Sequence, residues 1–66
     1  MKIIIEYKGN TYVGVEEKGN SAKDITDFIY AQFNQYTKFK MELEGGGFII
    51  IGEHVLRSCV MKIIDT

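Results

Sequence analysis

The fold is decided by residues 21–36, SAKDITDFIYAQFNQY, which have the clearest periodic pattern in the chain. One face recurs at the helical spacing i, i+3, i+4, i+7, i+8 and i+11, and its members are Ile25, Phe28, Ile29, Gln32, Phe33 and Tyr36. Ser21 is a favoured N-cap residue, and Asp24 puts a negative charge in the first turn. The stretch therefore predicts one amphipathic helix of about 15 residues, some 22 Å long at about 1.5 Å per residue.

The segments before this helix have the two-residue period of strands. Residues 2–7 place Ile3, Ile5 and Tyr7 on one face. A turn at residues 8–10 leads to a second alternating run at residues 11–17. These two runs predict a β-hairpin.

Three further strands are predicted after the helix. Residues 38–44 alternate apolar and charged side chains, which is typical of a strand with one wet face. Residues 48–51 are apolar throughout, which predicts a strand covered on both faces, and a turn at residues 52–54 precedes a last strand at about residues 57–64. The expected fold is α+β, a single helix packed on an antiparallel sheet in the order β-β-α-β-β(-β).

The length and composition indicate one domain at residues 1–66. The 66 residues are 45% hydrophobic and 12% aromatic, enough for one core. A domain of this size buries only about 60% of its unfolded surface, so small folds often need an additional constraint. Cys59 and His54 are the only residues of their types, which excludes an internal disulfide and a structural zinc site built on cysteine and histidine. Self-association is the remaining stabilising device.

The charge pattern argues against a dedicated nucleic-acid binder. Eight basic and nine acidic residues give a net charge of −1, and no long run of one sign occurs. The apolar opening at residues 3–5 is too short for a signal peptide, and no stretch approaches the roughly 20 residues that span a bilayer. We therefore expect a cytoplasmic protein without a membrane partner, and the lone cysteine fits a reducing compartment.

The two isoleucine triplets, Ile3-Ile4-Ile5 and Ile49-Ile50-Ile51, place apolar side chains on both faces of the sheet. One helix covers one face only, so the other face carries more apolar surface than monomers usually expose. This surplus predicts a homodimer or a higher oligomer. A strongly twisted sheet that buries both sets within one chain is the alternative.

Two clusters raise chemical alternatives. Consecutive N–H groups at Gly45-Gly46-Gly47 can form an anion-binding nest, but no phosphate-loop signature follows, and a flexible hairpin loop is the simpler interpretation. The segment from Glu53 to Cys59 holds the residue types of a nucleophile and a base, yet sequence proximity alone supports a catalytic pair. We predict no enzyme activity, no catalytic or metal site and no cofactor.

Aromatic residues next to lysines suggest nucleic-acid stacking as a third function. In Lys38-Phe39-Lys40, however, strand alternation puts the ring and the ammonium groups on opposite faces, which points Phe39 into the core. Tyr12 and Tyr30 are candidate exposed anchors of an interface. The predicted interaction residues are Ile4, Tyr12, Tyr30, Ile50 and Arg57.

The opening residues 2–7, KIIIEY, and the closing residues 48–63, FIIIGEHVLRSCVMKI, together with the composition rich in Ile and Lys, resemble short uncharacterised proteins of phages and prophages of low-GC Gram-positive bacteria. The resemblance implies an accessory protein of the infected cell that binds and blocks a host factor. Some phage proteins of this size oligomerise and sequester nucleotide signals at subunit interfaces. No functional residue is carried over from the resemblance.

The first functional hypothesis is a non-enzymatic binding protein that self-associates through an exposed sheet face and blocks or scaffolds a protein partner. The alternative is an oligomer that binds a small nucleotide-like ligand, with the glycine loop, Arg57 and the tyrosines as its polar and stacking groups.

Overall fold

A computed structural model describes residues 1–65 and confirms a small α+β fold, in which one long helix packs against antiparallel sheets. The chain also forms a second, single-turn helix. The elements in chain order are β1 (Lys2–Tyr7), β2 (Asn10–Val13), α1 (Ala22–Tyr36), β3 (Lys38–Glu42), β4 (Phe48–Gly52), α2 (Glu53–Leu56) and β5 (Val60–Ile64).

The strands form two antiparallel sheets, which are connected by main-chain pairing at one position. The first sheet has the order β2-β1-β5, and the second consists of β3 and β4. An isolated bridge pairs Gly14 with Leu43, where the Val15 N–H donates to the Glu42 carbonyl at 3.0 Å and the Glu44 N–H donates to the Val13 carbonyl at 2.9 Å. The segment after β2 therefore pairs with the end of β3 while it keeps hydrogen bonds to Ile3 and Met1.

Gly14 lies where the two sheets are connected, and a side chain at this position would crowd the neighbouring residues. Its N–H donates to the Ile3 carbonyl at 2.8 Å, and the residue is buried. A Cβ atom at this position would lie 2.9 Å from the Met41 sulfur and 3.2 Å from the Ile3 carbonyl oxygen. The close approach of the two sheets thus favours glycine at residue 14.

Both ends of α1 are capped. At its N-terminus, the Asp24 N–H donates to Ser21 Oγ at 3.1 Å and the Ser21 N–H donates to Asp24 Oδ2 at 3.3 Å, which makes a capping box. At its C-terminus, Thr37 adopts a left-handed conformation with φ of 54°, and its N–H donates to the Phe33 carbonyl at 2.9 Å. The chain enters β3 directly after this cap.

The core fills the space between α1 and the inner faces of the two sheets. Phe39 points into the core as predicted, and Phe39 and Ile5 are the largest fully buried side chains. Burial of such a side chain contributes about 1.5–3 kcal/mol relative to exposure. The buried set is Ile3, Ile5, Ile25, Ile29, Phe39, Met41 and Ile51.

Three predicted boundaries are wrong. The second strand ends at Val13 rather than Glu17, because the chain crosses to β3 and the Glu17 N–H then donates to the Met1 carbonyl at 2.7 Å. The turn predicted at residues 52–54 continues into α2. The last strand accordingly begins at Val60 rather than at residue 57.

Two predictions of burial are also wrong. Phe28 and Tyr36 were placed on the buried face of the helix, but each is 55% exposed. The strand at residues 48–51 is covered on one face only, since Phe48 is 58% and Ile50 is 67% exposed. Ile51 and the partly buried Ile49 alone face the core from this strand. The helix therefore covers a narrower strip than its apolar pattern suggests.

Candidate functional site

The outer face of the β3-β4 hairpin combines apolar, aromatic and basic groups. The strand register places Lys40 opposite Ile50 and Glu42 opposite Phe48. The Lys40 Nζ atom lies 4.3 Å from the centroid of the Phe48 ring, within the range of a cation–π contact. We call Lys38, Lys40, Glu42, Phe48 and Ile50 the hairpin outer face.

The pairing of Lys40 with an aromatic ring was not predicted from the sequence, because the two residues belong to different strands. Phe39 points inward and is 1% exposed, as the alternation predicts. Phe48 of the neighbouring strand supplies a ring on the same face as Lys40. The length of the glycine loop between the strands could have predicted this pairing, because loop length fixes the register of a hairpin.

The hairpin also leaves a strand edge open. Among residues 1–65, β4 pairs with β3 only. Leu43 N–H donates to the Gly47 carbonyl at 2.9 Å, which starts the alternation of hydrogen-bonded pairs. In that alternation Ile49 and Ile51 bond to β3, whereas the backbone groups of Phe48 and Ile50 point away from it. An unpaired edge therefore borders the two most exposed apolar residues of the strand.

Ile4, on the outer face of the three-stranded sheet, is better covered than Ile50. Ile4 is half-buried there, between Val13 and Lys62 in the register. Lys62 Nζ lies 3.0 Å from Glu6 Oε1, and Lys2 Nζ lies 3.2 Å from Glu44 Oε1. Lysine stems held in such ion pairs lie along apolar surface. The first isoleucine triplet thus leaves less open surface than the second.

The other predicted interaction residues do not share a face with Ile50. Tyr12 is half-buried against the core, on the side of its sheet opposite Ile4. Tyr30 is 65% exposed on α1. The Arg57 guanidinium forms an ion pair with Glu53, with Nη2 2.6 Å from Oε1. Ile4, Tyr12, Tyr30, Ile50 and Arg57 therefore do not make one continuous site.

The glycine loop is built as a hairpin turn. The Gly46 N–H donates to the Leu43 carbonyl at 2.9 Å, and Gly46 has a φ of 100°, which favours glycine. That N–H is therefore engaged within the loop. The carboxylate of Glu44, which belongs to the same turn, further disfavours a bound anion.

In the described part of the chain, the segment from Glu53 to Cys59 does not bring His54 and Cys59 into hydrogen-bond contact. The Cys59 thiol lies 3.6 Å from the Leu56 carbonyl, to which it donates, and His54 is exposed on α2. Within residues 1–65, no group of three or more histidine, cysteine, aspartate or glutamate side chains is arranged to hold a metal ion.

A groove runs between α1 and β3, and one of its ends reaches Ile50 of β4. Two cavities of about 270 and 290 Å³ lie along it, and Lys40 borders both. The helix lines the groove with side chains four residues apart, and we call the site the α1–β3 groove after its two walls. These helix residues are Asp24, Phe28, Gln32 and Tyr36.

The two ends of the α1–β3 groove differ in charge. The first cavity has an apolar floor and a rim with the carboxylates of Glu17, Asp24 and Glu42. The second cavity lies beside Tyr36, Lys38 and Ile50. Neither Glu17 nor Glu42 has a cationic side chain within 4.0 Å among the residues that the structure describes. The acidic end is therefore a local excess of negative charge.

No helix in the described chain is long and apolar enough to cross a membrane. Comparison with protein-family models, with curated proteins and with solved structures found no match to this chain.

Proposed function

We propose that this chain is a non-enzymatic binding protein that self-associates through the hairpin outer face and the free edge of β4. The observation that supports the proposal is the exposure of Phe48 and Ile50 next to an unpaired strand edge. Exposed apolar side chains on a free edge are typical of pairing between strands of two chains.

The edge favours a twofold arrangement of two copies. Antiparallel pairing of two β4 strands about Ile50 would place Ile50 opposite Ile50 of the partner subunit and Phe48 opposite Gly52 of the partner subunit. The glycine leaves space for the aromatic ring, and Ile50 lies at the axis with its backbone groups directed outward. Such an interface is isologous and closes at a dimer.

The expected dimer is weak. Full burial of an isoleucine or phenylalanine is worth about 1.5–3 kcal/mol, and both residues are already partly covered. Burial of these side chains in two copies would contribute about 4 kcal/mol. This gain is similar to the lower bound of the free-energy cost of association, so the net affinity comes from the main-chain hydrogen bonds between the two strands. We expect a dissociation constant on the order of 0.1 mM.

Sedimentation velocity across a concentration series tests the dimer. The wild-type chain has a mass of 7.5 kDa and should shift toward twice that mass at high micromolar concentration. Ile50→Lys should remain monomeric, because it places a charge at the axis. Val60→Lys is the matched control, since Val60 is also an exposed apolar residue on an outer edge strand. A 7.5 kDa particle at all concentrations, or loss of the dimer only in Val60→Lys, would refute the proposal.

The proposed action of the dimer is to bind and block a protein partner in the cytoplasm, a host protein if the phage resemblance holds. The nucleotide-binding alternative has less support, because Arg57 is paired with Glu53 and the Gly46 N–H is engaged within its turn. A thermal-shift screen against nucleotides separates the two functions. Stabilisation by a nucleotide would favour the alternative over protein binding.

A further inference from the structure

The chain itself leaves part of β3 unpaired. Val15 continues the pairing along β3 by donating to Glu42, but the Glu17 N–H turns to the Met1 carbonyl. Had the segment continued in the same register, it would have paired with Lys40. No main-chain or side-chain hydrogen bond from residues 1–65 reaches the Lys40 backbone groups from this side. β3 therefore presents a short open edge at the floor of the α1–β3 groove.

The cavity beside this edge has apolar side chains at its base and carboxylates at its rim. Ile3, Ile25, Phe39 and Met41 line its interior, and the half-exposed Phe28 forms part of its wall. Three carboxylates and one ammonium group border the same cavity of about 270 Å³. An apolar side chain with a positive charge next to it complements both properties.

We propose that the α1–β3 groove binds an extended segment of a partner protein, which adds to β3 as a strand and carries an apolar side chain flanked by basic residues. The segment runs antiparallel to β3, in the direction that Val13 to Val15 begin. Its main chain exchanges hydrogen bonds with Lys40, one apolar side chain enters the cavity, and basic side chains reach Glu17 and Glu42. Strand addition of this kind obtains affinity from the main chain and specificity from alternate side chains.

The open edge sets the length of the segment. Residues 38–41 are free on this side, which corresponds to about 13 Å at roughly 3.3 Å per residue. About four or five residues of the partner therefore pair with β3. The inference depends on the proposed function only in treating the chain as a binding protein, because the segment pairs with the free edge of β3, whereas the dimer pairs through the edge of β4. Lys38, Lys40 and Ile50 border both the groove and the hairpin outer face.

The test uses three synthetic pentapeptides and ¹⁵N-labelled protein at 50 µM, about half the dissociation constant expected for the dimer. The first peptide has arginine at both ends with valine, leucine and valine between them. The second replaces the arginines by glutamates. The third is N-methylated at the central leucine, which is the residue that pairs with Lys40 while a neighbouring valine enters the cavity. We expect the first peptide to shift the amide signals of Lys40 and Phe28. The other two should bind at least about tenfold more weakly, equivalent to about 1.4 kcal/mol.

Protein variants identify the contacts. Glu17→Gln should weaken binding of the arginine peptide by about threefold, as expected for a partly exposed charge pair. Phe28→Ala should weaken it by about tenfold, whereas Tyr30→Ala, on the same helix but outside the groove, should leave it unchanged. Far-UV circular dichroism checks that each variant is folded.

Three results would overturn the inference. They are equal affinity for the arginine and glutamate peptides, no loss on N-methylation, and amide shifts at Phe48 with none at Lys40 or Phe28. Absence of any binding up to millimolar peptide would also overturn it. A monomer in sedimentation would refute the proposed dimer and leave the groove intact, so the two failures are distinguishable.

Discussion

Gly14→Ala tests the close approach that joins the two sheets. The added methyl group would lie 2.9 Å from the Met41 sulfur and 3.2 Å from the Ile3 carbonyl oxygen. Overpacking of this kind costs about 1–3 kcal/mol. Gly14 does not have a positive φ, so alanine can adopt its backbone conformation. Alanine also lowers the conformational entropy of the unfolded chain, which stabilises the folded state by about 0.4–1 kcal/mol. We expect a net destabilisation of about 1–2 kcal/mol.

Urea unfolding followed by far-UV circular dichroism measures this effect, with tyrosine fluorescence as the second probe because the chain has no tryptophan. The corresponding fall in Tm is roughly 4–16 °C for a domain of this size. Gly45→Ala is the matched control. Its Cβ would meet nothing within 4 Å and its φ is not positive, so it should be neutral or stabilising by up to about 1 kcal/mol.

A double-mutant cycle with Met41→Ala assigns the clash. Removing the Met41 side chain takes away the sulfur and the Cγ atom nearest the new methyl group. The cost of Gly14→Ala should then fall by about 1 kcal/mol, a coupling typical of residues in contact. The packing argument fails if Gly14→Ala is as harmless as Gly45→Ala. An unchanged cost in the Met41→Ala background would assign the clash to the Ile3 carbonyl instead.

The two caps of α1 give opposite predictions. Thr37→Gly should stabilise the protein by about 1 kcal/mol in urea unfolding, because a β-branched residue is strained at a φ of 54°. A loss of stability would show that the hydrogen bond from the Thr37 hydroxyl to the Tyr36 carbonyl contributes more than the strain costs. Ser21→Ala should destabilise it by about 1 kcal/mol by removing the acceptor of the Asp24 N–H, whereas Ser21→Gly should cost only a few tenths. Equal effects of these two Ser21 substitutions would argue against the capping role.

Local patterns predicted the elements well, and long-range pairing explains what they missed. Ser21 and the helical spacing after it locate α1, and the alternation around Phe39 gives the inward face of β3. The end of β2 depends on Gly14 meeting Leu43, across 29 positions of sequence, and no local period contains that contact. Pairing at such separations depends on the assembled fold.

The candidate sites also differ in whether a local pattern or a long-range contact produces them. Ile50 was identified from its triplet, because an apolar run in a strand must place side chains on both faces. The α1–β3 groove was not predicted, because it depends on where the chain departs from β3 after Val15. The exposure of Phe28 follows from the same departure, which leaves a cavity beside β3 where a continued strand would lie.

The position of β1 between β2 and β5 has a consequence for synthesis in the cell. β1 is made first, but its partner β5 follows only at Val60–Ile64. At about 5–20 residues per second, one edge of the Ile3-Ile4-Ile5 strand remains without its partner for roughly 3–11 s during translation. An unpaired, isoleucine-rich edge is prone to aggregation. Yield in cells should therefore depend on how quickly the last strand is completed and docks, independently of the equilibrium stability of the finished fold.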